Sequence, residues 1–465
     1  MVEAGSPEHP LRIAIIGAGP AGFYAAAALL KAEGLKIEVD MYDRLPTPFG
    51  LVRAGVAPDH QKDKSVTRAY DKSARHPHFR FCGNIEYGKD VNLDELRRFY
   101  HQIIFATGTQ SDRALGIPGE DLIGSHSATD FVAWYNGHPD YANLEFDLSC
   151  ERVAVVGLGN VALDVARILC KSHEELSRTD IADHALRALQ NSRVREVYIL
   201  GRRGPAQAAF TPPEISEIGE LTDTDVLVRP KEAYLDAASR AALEANPDRN
   251  AEKNVEVIQV YAQRPPQGRQ RQLHIRFLLT PLEIIGSANG RTEAIRLARN
   301  ELYLAQDNSV QVRQTQEEEV LPVGLVFRSV GYRGLGLPEL PFDERRGVIQ
   351  NEAGRIVDDR GQVLTGLYAA GWIKRGPSGV IGTNKVDAKE TVALMIEDIR
   401  AGRYLSPAQP TAAAATGFLE ALAPRSVSYA DWAEIDAEET RRGEVADRPR
   451  VKFTRLGEFL DVLSD

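Results

Sequence analysis

Cysteine is scarce in this chain of 465 residues. There are three, Cys82, Cys150 and Cys170, odd in number and scattered. No C-x-x-C or C-x4-C spacing occurs, which excludes a redox-active disulfide and a cysteine ligand set for an iron–sulfur cluster. Such usage fits buried thiols in a reducing compartment, so a cytoplasmic location is expected. Long apolar runs are missing too; none approaches the roughly 18 residues of a membrane-crossing helix. An excess of positive charge is also lacking. The formal net charge of −10 argues against nucleic acid as the main partner, while leaving room for a local basic patch. Residues 1–10 are polar, with neither the apolar centre of a secretory signal nor the Arg-rich character of a transit peptide.

What is present is the composition of a soluble globular protein, 43% hydrophobic and 26% charged, in a chain long enough for two domains. Two glycine-rich fingerprints stand out. The first is Gly17-Ala18-Gly19-Pro20-Ala21-Gly22, entered from the apolar run 11–16 and followed by an alanine-rich helical stretch and a second strand over 36–42. Asp43 closes that strand, 21 positions after Gly22. In this βαβ pattern the first glycine permits the tight turn and the second lets the backbone approach a pyrophosphate. The third allows close helix–strand packing, and the acid accepts from a free ribose 2′-hydroxyl.

The second fingerprint is Gly157-Leu158-Gly159-Asn160-Val161-Ala162, preceded by an apolar strand from 151 to 156. A strand over 195–200 follows, then the pair Arg202-Arg203. The gap from Ala162 to Arg202 is 40, about twice the usual spacing, and a helical insertion over 171–191 accounts for it. Exposed arginines are commonly plain surface residues. A pair of them at a strand end in a second βαβ unit favours a 2′-phosphate. An acid in one unit and arginines in the other point to FAD and NADP(H).

Other segments fall around these motifs. Residues 45–53, rich in proline and glycine, read as an irregular ordered loop laid over the first cofactor, and His60 follows it. A lone histidine is more often structural than functional. Pro212 and Pro213 read as a break, with Glu214 and Glu217 on the helix after them. Residues 264–271 read as an exposed basic loop. The strand over 325–330 marks a return towards the first domain. The glycine-dense stretch 367–383 reads as a strand entering a loop, with a helix from Asp387 onward. Its amides suit the electron-rich edge of a flavin. After Arg403 come a Pro/Ala-rich linker and an amphipathic segment over 429–442.

On these residues the chain resembles the adrenodoxin reductase-type ferredoxin–NADP(+) reductases, and its bacterial, mycobacterial-like members in particular. Gly371-Trp372, where two-dinucleotide flavoproteins usually carry Gly-Asp, marks the subgroup. The resemblance implies an α/β fold of two Rossmann-like domains, the FAD domain discontinuous (1–109 and 331–465) and the NADP domain (110–330) inserted in it. It implies FAD contacts at Gly17, Gly19, Ala21, Gly22, Asp43, Leu51 and, through its backbone near the adenine, Tyr87. Trp372 with Gly379, Val380 and Ile381 then line the isoalloxazine. For NADP(H) it implies Leu158, Gly159, Asn160 and Val161 at the pyrophosphate, Arg202 and Arg203 at the 2′-phosphate, and Glu214, Gly379 and Arg113. Asp43 stands where relatives commonly have Glu.

The activity implied is hydride transfer from NADPH to FAD, then single electrons to an acidic ferredoxin with a 2Fe-2S, 3Fe-4S or 4Fe-4S cluster. The protein is expected to be a monomer without a metal of its own. His60 is expected to pair with Asp164 or Glu217, positioning nicotinamide and managing the flavin proton. Arg53, Lys374 and Arg375, flanking the flavin loops, are the expected docking cations for ferredoxin. The rival readings are an FAD/NADPH-dependent monooxygenase and a non-catalytic NADP(H)-sensing flavoprotein.

Overall fold

A computed structural model of the protein describes residues 5–423 and 425–464. The chain divides into two compact units. One comprises Met1–Val56, His60–Ser111 and Tyr332–Asp465; the other comprises Ala57–Asp59 and Asp112–Gly331. The second is thus inserted into the sequence of the first.

The first unit is built on a seven-stranded sheet. Its parallel centre runs in the order Val363–Ala369, Gln102–Phe105, Leu11–Ile16, Ile37–Tyr42, Phe79–Cys82. Leu11–Ile16 is buried throughout because both of its faces are covered. Leu11, Ile13 and Ile15 join the core that holds Phe23 and Ala26 of helix Pro20–Leu29 and Met395 of helix Ile381–Arg400. Ala14 and Ile16 point into the opposite core with Leu93, Leu96 and Phe99. Arg12 interrupts the apolar run, and its buried guanidinium is neutralised by Asp40 and Glu38 on the neighbouring strand.

The second unit carries a six-stranded, all-parallel sheet in the order Ser125–Ser127, Leu325–Arg328, Arg152–Val156, Glu196–Leu200, Arg271–Arg276, Thr224–Val228. Val153 and Val155 face a core with helix Asn160–Cys170. Ala154 and Val156 face another core with Leu279, Ile284, Ile295 and Leu297. These last residues belong to a three-stranded antiparallel sheet, Leu279–Gly286, Thr292–Leu304 and Val310–Pro322.

Several sequence expectations need correction. The 45–53 loop is not wholly irregular: Leu51–Ala54 forms one helical turn after Gly50. Pro212 and Pro213 do not break the chain but start helix Pro212–Ile218, where their missing N–H groups are not needed. The strand at 325 belongs to the sheet of the second unit, and the chain returns to the first unit only at Tyr332. The helix expected from Asp387 begins six residues earlier, at Ile381, with Thr383 Oγ1 accepting from the Val380 N–H at 3.2 Å. Cys150 is half-buried, unlike Cys82 and Cys170. The segment after Arg403 is more than a linker, since Ala412–Leu422 is a helix whose Ala415 and Leu419 are buried. The expected insertion over 171–191 consists of the short helices His173–Leu176 and Asp183–Gln190.

Candidate functional site

In the first unit the turn 17–22 connects strand to helix under tight local sterics. Gly17 has φ +109°, and a Cβ there would lie 2.5 Å from the Ala106 carbonyl oxygen. A Cβ on Gly22 would lie 2.2 Å from the Gly17 oxygen. Gly19 is different, because a Cβ there would meet nothing within 4 Å. This open position is the N-cap of helix Pro20–Leu29, and no side chain caps it among the described residues. Free N–H groups at a helix start beside empty space form a cradle for a pyrophosphate.

Asp43 stands beside this turn. Its two carboxylate oxygens accept from the Ala18 N–H at 2.8 Å and the Leu45 N–H at 2.9 Å. Burial pushes the carboxyl up from its usual range, and the two backbone donors oppose that. Each oxygen keeps a lone pair for a ribose hydroxyl. The loop after Asp43 folds back onto the turn: Phe49 N–H donates to Ala18 O at 2.8 Å, and a Cβ on Gly50 would sit 3.0 Å from Gly19 Cα. Leu51 begins the helical turn that follows. Tyr87 is buried, with its ring edge-on to Phe105 and its hydroxyl donating to Pro338 O at 3.0 Å.

The glycine-dense stretch reaches the same turn. Gly371 has φ +74°, and a Cβ there would lie 2.6 Å from Ala21 Cβ. Its N–H donates to the buried Asp387 carboxylate. Trp372 packs 5.4 Å from Tyr332, and its indole N–H donates to Ser378 O. Gly379, Val380 and Ile381 form the start of helix Ile381–Arg400, where Val380 is 54% exposed. The early start of this helix puts the N–H groups of Ile381 and Gly382 in its first turn, directly after Gly379 and Val380. The residues present therefore fit a flavin dinucleotide.

In the second unit the turn 157–162 repeats the design. A Cβ on Gly157 would lie 2.1 Å from Ser329 O, while one on Gly159 would meet nothing within 4 Å. Gly159 is the N-cap of Asn160–Cys170, again without a side-chain cap. Asn160 Oδ1 accepts from the Thr211 N–H at 2.8 Å, and Leu158 packs where a Cβ on Gly201 would otherwise stand. Arg202 is exposed and Arg203 half-buried. Neither guanidinium has a carboxylate partner among the described residues, and the buried Arg203 Nε has no hydrogen-bond partner there. Arg113 is exposed, its backbone N–H bonded to Gly331 O at 3.0 Å.

Arg167, fully buried on helix Asn160–Cys170, gathers the carboxylates of this unit. It donates to Asp59 at 2.8 and 3.0 Å and to Asp164 at 2.7 Å, and it stands 3.8 Å from both Glu214 and Glu217. Burial alone would raise the Asp59 carboxyl; Arg167 and Lys171 outweigh it and hold the group below its usual range. Sequence reasoning missed Arg167 as the organiser of Asp164, Glu214 and Glu217. Its i,i+3 spacing from Asp164 on one helix was the available signal. His60 lies in the first unit at the start of the short helix Gln61–Lys64, with Nδ1 3.8 Å from the Asp63 carboxylate.

The three expected docking cations are not available as surface charges. Arg53 is paired with the fully buried Glu439 at 2.8 and 2.5 Å. Lys374 is 8% exposed, with Nζ 3.0 Å from Asp387 and donating to Thr391 Oγ1. Arg375 donates to Asn384 Oδ1 at 3.0 Å. Each cation has an internal acceptor that a sequence window of a few residues does not reveal.

Two Rossmann-type units, each with an open glycine turn at a bare helix start, define the class of two-dinucleotide oxidoreductases. Residues 11–218 match the family described as pyridine nucleotide-disulphide oxidoreductase. The chain is 47% identical over 462 residues to the NADPH-ferredoxin reductase FprA of Mycobacterium tuberculosis, covering 98% of this chain and 99% of that protein. It is 41% identical over 476 residues to the mitochondrial NADPH:adrenodoxin oxidoreductase of Salvelinus fontinalis, covering 98% and 92%. The solved structure of Mycobacterium tuberculosis FprA in complex with NADPH superposes with a TM-score of 0.92 at 46% identity, covering 98% of this chain and all of that one. The chain belongs to the adrenodoxin reductase-type ferredoxin–NADP reductases.

Proposed function

We propose that this protein is an NADPH:ferredoxin oxidoreductase that holds FAD in the first unit and NADP(H) in the second. The observation that carries the reading is the contrast between two otherwise alike glycine turns. One has a carboxylate, Asp43, bonded to the turn itself; the other is followed by two arginines without carboxylate partners among the described residues. When bound, FAD supplies hydride acceptance from NADPH and single-electron release to an iron–sulfur ferredoxin. The chain's own task is to bind and orient. The amides of Gly19, Ala21 and Gly22 bind the flavin pyrophosphate, Asp43 accepts from the ribose, and Leu51 and Tyr87 flank the adenosine side. Trp372, Gly379, Val380 and Ile381 position the ring system. Leu158, Gly159, Asn160 and Val161 bind the NADP(H) pyrophosphate, Arg202 and Arg203 the 2′-phosphate, with Glu214 and Arg113 contributing. His60, Asp164 and Glu217 position nicotinamide and manage the flavin proton, a role that requires His60→Gln to change hydride transfer or the flavin potential.

The partner in this reading is an acidic ferredoxin and the protein a cytoplasmic monomer. The test is the absorption spectrum of the purified protein, then NADPH-driven cytochrome c reduction with and without added ferredoxin, with NADH as control. A yellow protein bleached by NADPH, with ferredoxin-stimulated reduction, is expected. A colourless protein that binds NADP(H) without turnover would overturn the reading. So would oxygen consumption tightly coupled to an organic substrate with no ferredoxin reduction.

A further inference from the structure

The loop 45–54 lies on the first glycine turn in a conformation that something else must hold. Phe49 has φ +84°, left-handed for a residue with a Cβ, which persists only where the surroundings fix it. Its ring sits edge-on to Trp432 at 5.9 Å. Four residues on, the Arg53 guanidinium grips the Glu439 carboxylate through both Nη atoms and lies 5.2 Å over the Trp432 ring and 5.8 Å over Phe459. Lys452 Nζ donates to the Arg53 carbonyl at 3.3 Å. Glu439 is fully buried and also accepts from the Phe453 N–H at 2.8 Å and Arg450 Nη1 at 3.1 Å. Trp432, Glu439, Lys452 and Phe459 all come from the far end of the chain, 386 positions from Arg53 in the case of Glu439.

A buried ion pair is a poor source of net stability, because desolvation offsets the attraction; its best-attested use is to fix registry. Helix Tyr429–Val445 already docks through the buried Trp432 and Ile435. Glu439 therefore adds definition to the loop more than adhesion to the helix.

We infer that Glu439 is a positioning residue for the dinucleotide of the first unit: through Arg53 it holds loop 45–54 down on turn 17–22, so that segment 429–461 governs release of FAD. The inference rests on the reading that this unit holds FAD.

The experiment follows FAD retained by the intact holoprotein against time of dialysis, in the wild type and in Glu439→Gln. The variant is expected to lose FAD about tenfold faster or more, the scale of one charge-assisted hydrogen bond, with Glu439→Asp intermediate. Its far-UV circular dichroism and its NADP+ dissociation constant should match the wild type. A folded Glu439→Gln protein that retains FAD as the wild type does overturns the inference. Where Glu439→Gln does not fold, Glu439→Asp decides. It keeps the buried charge and draws the carboxylate back from Arg53 by one methylene. Roughly threefold faster loss supports the inference, and an unchanged rate overturns it. A wild type that takes up no FAD overturns the functional reading and this inference with it; equal retention by wild type and variant overturns this inference alone.

Discussion

Replacing Arg202 and Arg203 together by alanine should remove the preference for NADPH while leaving the second unit folded. The backbone there is held independently of the side chains. The Arg202 carbonyl accepts from Asn300 Nδ2 at 2.7 Å, and the Arg203 carbonyl accepts from the Leu278 N–H at 3.1 Å. The magnitude follows from exposure. Arg202 is exposed, so its interaction with a 2′-phosphate is screened and worth about 1 kcal/mol. Arg203 is half-buried, with an Nε that has no partner among the described residues, so its charge-assisted bonds are worth about 2 kcal/mol. Their sum, about 3 kcal/mol, corresponds to roughly a hundredfold fall in kcat/KM for NADPH. NADH lacks the phosphate, so its kcat/KM should stay within about twofold. The assay is steady-state ferricyanide reduction with each donor, at low and at raised salt. Salt should shrink the wild-type preference and leave the variant indifferent. If NADPH and NADH efficiencies fall together, or the preference shifts by less than about threefold, the arginines are not the phosphate readers.

Glycine substitutions separate cradle from scaffold. Gly19→Ala places a methyl in open space, so the protein should keep its melting temperature and lose FAD. Gly22→Ala drives a methyl to 2.2 Å from a backbone oxygen and should lower stability by about 3 kcal/mol, read by urea unfolding. His274 stacks on Tyr198 at 4.4 Å, and burial lowers its pKa from 6.5 to about 4. The unfolded chain therefore takes up the proton first. This stability is complete above pH 6.5 and is lost as pH falls towards 4. His274→Phe keeps the stack and should reduce the acid loss between pH 7.5 and 4.5 by on the order of 2 kcal/mol in urea melts. Asp398 has the opposite chemistry. Burial opposes its ionisation, but Arg355, Tyr368 and Arg403 hold its pKa at about 2. Its contribution is present above about pH 4 and lost as pH falls towards 2, and Asp398→Asn should erase that dependence in acid titrations followed by circular dichroism.

Legibility in the sequence followed the range of the physics. Strand Leu11–Ile16 and its turn were readable because a strand buried on both faces is a continuous apolar run and a tight turn demands glycine locally. The antiparallel sheet Leu279–Pro322 was not, since register shifts between Pro281 and Glu283 and between Ala298 and Asn300 interrupt the two-residue period. Val310–Pro322, with little of it buried, offers no apolar stripe at all. Charged residues misled for a related reason. Lys374 reads as surface in its own window, and only the helix from Ile381 brings Asp387 to 3.0 Å from it. Arg53 needed a glutamate 386 positions away.

The two turns also locate cofactor selectivity. Their steric logic is common: Gly17 and Gly157 each admit no Cβ, with carbonyl oxygens of Ala106 and Ser329 at 2.5 and 2.1 Å, and Gly19 and Gly159 each leave the cradle empty. The third position differs. Gly22 has no room for a methyl, whereas Ala162 is accommodated and fully buried. That difference concerns packing, not recognition; both turns present a bare helix start, the first with one N–H fewer because Pro20 stands where the second has Asn160. In the proposed reading discrimination lies at the end of the next strand. In that reading Asp43, anchored to the Ala18 and Leu45 amides, accepts ribose hydroxyls, whereas Arg202 and Arg203 supply the positive charge that a 2′-phosphate needs. Exchanging the turns would leave the preference of each unit unchanged, whereas exchanging the strand ends would reverse it.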